Sequence, residues 1–153
     1  DSGWSPQIVV GVSVMIPETY VPDLHLRMGL YRRLGELVDL KEIDGFGAEM
    51  IDRFGPMPEE VEHLLKVVYI KSLCRTANVE KLEAGPKGLV VQFRDRTFPN
   101  PAGLVGFISR QGTLAKIRPD HSLFLARDLP KPEKRMAAAA MLMTQLAEIA
   151  GQG

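Results

Sequence analysis

Apolar residues recur at helical spacing through the first half of the chain and predict three successive helices. The first begins after Asp23, whose carboxylate can accept from the free amides of a first helical turn, and covers residues 24–40. The second is short and covers residues 47–54, and the third opens at Pro58 and ends near residue 77. The β-branched residues that precede them predict an extended lead-in over residues 1–23.

After Asn78 the hydrophobic pattern changes from helical spacing to alternation, which is typical of strands. The pattern predicts a hairpin of residues 79–83 with 89–93, a helix from Pro101 to about Gly112, a hairpin of residues 114–118 with 122–125, and a last helix after Pro132. Hairpins imply antiparallel pairing, so the predicted fold class is α+β. A helical N-terminal half is followed by short antiparallel hairpins interleaved with helices.

Composition narrows the class of protein. The 153 residues are 45% apolar, which suits a single domain over residues 24–153. Nineteen basic residues balance nineteen acidic ones, so net charge gives no argument for a dedicated nucleic-acid binder. A single cysteine and the lack of a long apolar run predict a cytoplasmic protein. Because the chain begins Asp1-Ser2-Gly3 without Met, we expect it to be a piece of a longer protein.

Motifs of catalysis are incomplete in this sequence. No Gly-Lys-Ser/Thr run of a phosphate-binding loop occurs, and Gly45-Phe46-Gly47 supplies only part of a dinucleotide fingerprint. Ser13 begins like a nucleophile elbow, which leaves a small hydrolase as a weakly supported alternative, but Met15 replaces the closing glycine. One cysteine and three histidines lack the spacing of a zinc site: His25, His63, Cys74 and His121.

Two carboxylates share one side of the second predicted helix. Glu49 and Asp52 are three residues apart, opposite an apolar side formed by Met50, Ile51 and Phe54, and Arg53 can pair with Glu49. These acids form either a solvated helix face or a docking surface for a basic partner, whose arginines they would orient. Spacing alone favours the solvated face.

Basic residues suggest an alternative function. Arg27, Arg32 and Arg33 of the first predicted helix, with arginines of the hairpins, could form an accessory nucleic-acid-binding surface.

Three runs of sequence carry a family resemblance. They are IPETYVPD at residues 16–23, LYRRL at residues 30–34 and EMIDRFGPMP at residues 49–58, and KLE at 81–83 and NP at 100–101 are similar too. Together they resemble the C-terminal domain of bacterial transcription-repair coupling factor (Mfd). The resemblance covers most of the chain, and the block at residues 49–58 is its most specific part.

The resemblance implies a non-catalytic regulatory domain at the end of a large ATP-dependent DNA translocase. Such a protein releases stalled RNA polymerase from DNA and recruits nucleotide-excision repair through UvrA. In this family the C-terminal domain packs on the UvrB-like module of the same chain and hides the surface that UvrA binds. By motif position, Glu49, Asp52 and Arg53 would belong to that docking surface. No cofactor is expected in this domain, since ATP and magnesium would serve the upstream motor.

Overall fold

The computed structural model describes residues 4–153, which form five helices and one five-stranded sheet. The chain start without Met lies outside the described residues. The helices are α1 (Leu24–Leu34), α2 (Leu40–Phe54), α3 (Glu59–Thr76), α4 (Pro101–Arg110) and α5 (Pro132–Gln152). The strands are β1 (Gln7–Val9), β2 (Val79–Gly85), β3 (Gly88–Phe93), β4 (Ala115–Ile117) and β5 (Leu123–Ala126). The predicted α+β class is therefore confirmed.

The chain divides into two compact units, which we describe separately. Val12–Ser72 forms the helical unit, and the residues up to Gly11 together with Leu73–Gly153 form the sheet unit. The predicted lead-in contributes to both, because β1 belongs to the sheet and Ile16 and Val21 are buried in the helical unit.

The helical unit has its own hydrophobic core. Buried side chains come from the lead-in, from α1, from α2 and from α3, and they are Ile16, Val21, Leu30, Leu34, Phe46, Met50 and Val61. The Tyr31 hydroxyl accepts from the Ile16 backbone N–H at 2.7 Å, which ties the lead-in to α1. Residues without secondary structure are thus fixed by burial and by a hydrogen bond.

The helix bounds in this unit differ from the prediction. The first helix was expected to reach residue 40, but α1 ends at Leu34 with Gly35 as its C-cap. The second was expected to begin near residue 47, but α2 begins at Leu40. Asp39 caps it by accepting from the Glu42 N–H at 2.9 Å, while the Glu42 carboxylate accepts from the Val38 N–H at 2.9 Å. This reciprocal capping pattern was readable in the sequence and was missed.

The sheet unit contains one sheet in the order β1-β2-β3-β5-β4. Both predicted hairpins are present as antiparallel pairs, β2 with β3 and β4 with β5. The sheet is nevertheless mixed, because β1 lies parallel to β2 at one edge, with Ile8 opposite Leu82. The sequence predicted an extended segment there but not its pairing, since a three-residue strand carries too little pattern to choose a neighbour.

One face of the sheet is covered by helix. α5 contacts β2 and α4, and its buried stripe follows the helical period. The stripe consists of Met136, Ala139, Leu142, Met143, Leu146, Ile149 and Ala150. Asn100 joins the two helices, because its Oδ1 accepts from the Gly103 N–H at 3.0 Å and its Nδ2 donates to the Ile149 carbonyl at 2.9 Å.

Candidate docking surface on α2

Tyr20 holds the C-terminal end of α2 in position. The Tyr20 hydroxyl lies 2.8 Å from the Gly55 carbonyl oxygen and 3.1 Å from that of Met50, and its ring meets Phe54 edge-on at 5.8 Å. Gly55 adopts φ 93°, a conformation that favours glycine, and its N–H donates to the Ile51 carbonyl at 2.9 Å. These contacts fix the orientation of the block at residues 49–58.

The apolar side of α2 is narrower than the sequence predicted. Phe46 and Met50 are buried and Phe54 is half-buried, but Ile51 is 51% exposed. The spacing placed Ile51 with the core stripe. Its actual position is at the edge of that stripe, because successive helical residues diverge by about 100° around the axis.

Glu49 is the centre of an ion-pair network. The predicted pair with Arg53 is present at 2.9 Å, and Arg33 of α1 binds the same carboxylate through two hydrogen bonds of 2.7 Å. The Arg33 guanidinium also stacks over the Phe46 ring at 4.9 Å, and that of Arg53 over the Phe54 ring at 5.0 Å. Glu49 therefore connects α1 with α2.

These contacts change the titration of both partners. Hydrogen bonds from Arg33, then from Arg53, lower the pKa of Glu49 to about 2 from an ordinary 4.5. The hydrogen bond to Glu49 raises the pKa of Arg33 above its ordinary value against a smaller opposing effect of burial. Both groups are thus charged at neutral pH.

Asp52 differs from Glu49. It lies on the same side of α2, is exposed, and forms no ion pair with any residue in 4–153. An exposed carboxylate that forms no ion pair can receive an incoming guanidinium in bidentate geometry.

The basic residues of α1 have unequal surroundings. Arg27 donates to the carbonyl oxygens of Val21 at 2.9 Å and Pro22 at 3.3 Å, and Arg33 is engaged by Glu49. Arg32 lines a pocket of about 250 Å³ that Arg33 and Arg53 also line. Two of the three arginines predicted to contact nucleic acid are therefore hydrogen-bonded within the helical unit.

The structure adds a groove that the sequence did not predict. It has a volume of about 610 Å³, lies between α2 and α3 within the helical unit, and is lined mainly by apolar side chains. Leu40 and Ile51 line it from α2, and Leu65 and Tyr69 from α3. The half-exposed apolar residues of α2 could have pointed to a groove. Their spacing does not identify α3 as the helix that forms the opposite wall.

The other motifs singled out in the sequence lie apart from this surface. Gly45-Phe46-Gly47 is inside α2 rather than in a loop after a strand, so it has no dinucleotide-binding geometry. Ser13 is exposed and lies outside β1, with its carbonyl oxygen 3.3 Å from His63 Nδ1. Among residues 4–153, no three His, Cys, Asp or Glu side chains are grouped as metal ligands would be. The helices described also include none that is long and apolar enough to span a membrane.

Comparison with known proteins identifies the family. The TRCF domain model matches residues 10–104, which include the whole of α2. The chain belongs to the TRCF domain family. A transcription-repair-coupling factor of Rickettsia bellii is 43% identical over 124 residues, which are 81% of this chain and 11% of that protein. The factor of Escherichia coli is 27% identical over 134 residues, which are 88% of this chain and 12% of that protein.

A solved structure supports the fold of this TRCF chain. It is described as the crystal structure of the C-terminal domain of transcription-repair coupling factor, and it aligns with a TM-score of 0.79 at 20% identity. The alignment covers 97% of this chain and 96% of that one. The TRCF chain spans about a tenth of the length of the relatives it matches. Its fold is the one seen in that C-terminal domain.

Proposed function

We propose that this chain is a non-catalytic, autoinhibitory C-terminal domain of a transcription-repair coupling factor. It docks on the UvrB-like module of the same protein and masks the surface that UvrA binds. The observation that carries the proposal is Asp52, an exposed carboxylate without an ion pair among the described residues, beside the ion-paired Glu49 on one side of α2. Family membership supports it, because α2 lies within the matched residues.

Because of the ion pairs, the three docking residues have different roles. Glu49 is already bound by two guanidinium groups, so a third cation would gain less there than at Asp52. Asp52 is therefore the main acceptor for a basic side chain of the module. Glu49 and Arg53 keep this part of α2 in position.

The docking contact acts as an intramolecular clamp, which can work with a weak intrinsic affinity. A contact within one chain has an effective concentration in the millimolar range, so a weak docking site can stay closed. Opening then requires a partner that prefers the open state by a few kcal/mol. Charge-matched, partly polar contacts suit a surface that must separate again.

The rest of the activity would belong to the parent protein. An upstream motor would use ATP and magnesium to move on DNA, release a stalled RNA polymerase, and expose the UvrA-binding surface once the clamp opens. This domain would supply the regulation and no chemistry.

The test is UvrA binding by the full-length protein. Asp52→Asn keeps the size of the side chain and removes its charge, so we expect UvrA binding to rise while the fold is retained. Glu148→Gln is the matched control, because Glu148 is also an exposed helical carboxylate without an ion pair in the described chain, in the sheet unit. Unchanged UvrA binding by Asp52→Asn would contradict the proposal.

A further inference from the structure

The strand registers align one residue from each strand of the sheet in a row. Side chains of directly paired residues lie on the same face of a sheet. In sheet order, the row consists of Val9, Glu83, Val90, Phe124 and Lys116. The neighbouring row on the same face consists of Gln7, Lys81 and Gln92. We call the surface formed by these eight residues the open face.

The open face is accessible to water, whereas the opposite face is buried. Val9 is 39% exposed, Glu83 and Lys116 are exposed, and Val90 and Phe124 are half-buried. The residues that alternate with them on β2, β3 and β5 point to the other face. All of those that follow are buried there: Leu82, Leu89, Val91, Leu123 and Leu125. The sheet therefore packs its core on one side and leaves the other side free to bind a ligand.

An aromatic ring and a guanidinium are stacked on the open face. The guanidinium carbon of Arg118 lies 5.1 Å from the centre of the Phe124 ring, which places Arg118 on this face as well. Arg118 is exposed, so the side of its guanidinium that faces away from the ring is accessible. Unpaired nucleobases stack on aromatic rings and on guanidinium planes.

The charges on this surface are mainly positive. Its cations are Lys81, Lys116 and Arg118, and its one acid is Glu83. None of the four forms an ion pair with a residue in 4–153. The whole chain has no net charge, so this surplus of positive charge is local. Cations without a protein partner can bind phosphates and release the counterions of a nucleic acid.

We propose that the open face binds single-stranded nucleic acid. Its bases stack on Arg118 and on the exposed part of Phe124, and its phosphates are bound by Lys81 and Lys116. A duplex is bound less tightly, because its bases are already stacked on each other and present only their edges. Every residue involved belongs to the sheet unit, so the inference goes beyond the proposed function and is independent of α2.

The first test measures the binding of labelled probes to the 153-residue chain by fluorescence anisotropy. A C-terminal domain of the same fold has been crystallised as a separate chain, so no motor needs to be present. The probes are an oligothymidine and an oligouridine of about twelve nucleotides, a DNA duplex of the same length and a polyglutamate peptide. We expect one of the single strands to bind at least about tenfold more tightly than the duplex or the peptide. The tighter of the two single strands shows whether DNA or RNA is preferred.

The second test locates the bound strand with pairs of matched variants. Arg118→Gln should weaken single-strand binding about tenfold, the effect of losing one stacking surface. Arg110→Gln is its control, since Arg110 is an exposed arginine of α4 outside the open face. Glu83→Gln removes the acid of the open face and should tighten binding about twofold in low salt, whereas Glu148→Gln on α5 should not. A gain of affinity cannot result from a loss of folding.

The third test counts the phosphates that the open face binds. For single strands the logarithm of the binding constant falls by about 0.7 per bound phosphate for each unit of log salt concentration. Three cations therefore predict a slope of about −2, and Lys116→Gln should reduce it to about −1.4. Lys134→Gln, at an exposed lysine of α5, should leave the slope unchanged.

Several results would overturn the inference. Failure of both single strands to bind in low salt would exclude the site, and equally tight binding of the duplex or the peptide would show attraction by charge alone. Equal losses in Arg118→Gln and Arg110→Gln would place the strand elsewhere. A wild-type dimer in sedimentation that Arg118→Gln dissociates would show that a second copy of the chain covers the open face. None of these results affects the docking function, which the UvrA measurement on Asp52→Asn tests separately.

Discussion

Replacing Glu49 by Gln removes the carboxylate that holds two arginines of the helical unit. Arg33 of α1 and Arg53 of α2 both bind it, at 2.7 and 2.9 Å. The amide of Gln is neutral and offers one acceptor oxygen, so the bidentate pair with Arg33 is lost. We therefore expect Glu49→Gln to weaken the connection between α1 and α2.

The size of the effect follows from the titration of Glu49 and its exposure. The pKa of about 2, against an ordinary 4.5, would correspond to about 3 kcal/mol if nothing screened the attraction. Water does screen it, because the Glu49 side chain is 35% exposed and those of Arg33 and Arg53 are 46% and 39% exposed. Exposed pairs contribute about 0.2 to 1 kcal/mol each. We expect the free energy of unfolding at pH 7 to fall by about 1 to 1.5 kcal/mol.

The effect should depend on pH in a defined direction. The folded pKa of Glu49 is lower than the unfolded one, so its stabilisation is complete above about pH 4.5 and is lost as the pH falls through about 2. Urea unfolding of the wild type and of Glu49→Gln at pH values from 7 to 3 measures this. The difference between them should be largest at pH 7, shrink below pH 4.5, and decrease in high salt.

Asp52→Asn is the control for this experiment. Asp52 has no ion pair in the described part of the chain, so its replacement should change the free energy of unfolding by less than about 0.5 kcal/mol. A Glu49→Gln variant as stable as the wild type at pH 7, or a difference that stays constant down to pH 3, would refute the reasoning.

Two further predictions concern the sheet unit. Gly88→Ala places a Cβ against the Leu125 carbonyl oxygen at φ 151°, so it should cost about 2 to 4 kcal/mol in urea unfolding. Gly85→Ala, with no atom within 4 Å and no positive φ, should leave the free energy of unfolding unchanged or raise it by up to about 1 kcal/mol. An equal loss at both positions would contradict this account of the turn. Asn100→Ala removes the cap of α4 and the hydrogen bond to the Ile149 carbonyl, so thermal unfolding should show a loss of about 1 to 2 kcal/mol. No loss would mean that water replaces both contacts.

Local sequence signals predicted the elements whose pattern is strong. Asn100 before Pro101 marked the start of α4, and alternating apolar residues marked both hairpins. The boundary between α1 and α2 was predicted wrongly because apolar residues continue at helical spacing across Gly35. Gly35 and the cap at Asp39 decided that boundary instead.

Helix geometry predicted the part of the candidate site that lies on α2 itself. Spacing placed Glu49, Asp52 and Arg53 on one side of α2, and the pair of Glu49 with Arg53 is present. The bond from Arg33 joins residues sixteen positions apart, which no helical period relates. The exposure of Ile51 also depends on where α3 packs against α2.

The sequence by itself determined the class of fold, most of the elements and a family resemblance that the comparisons confirm. These features depend on residues that are neighbours in the chain or share a motif, so a linear pattern can carry them. Tertiary structure alone decided that Glu49 is held by α1, that Asp52 forms no ion pair in the described chain, and that α2 and α3 leave a groove. Each of these depends on side chains that meet only after the helices pack, which is why spacing could place the two acids together but could not tell them apart.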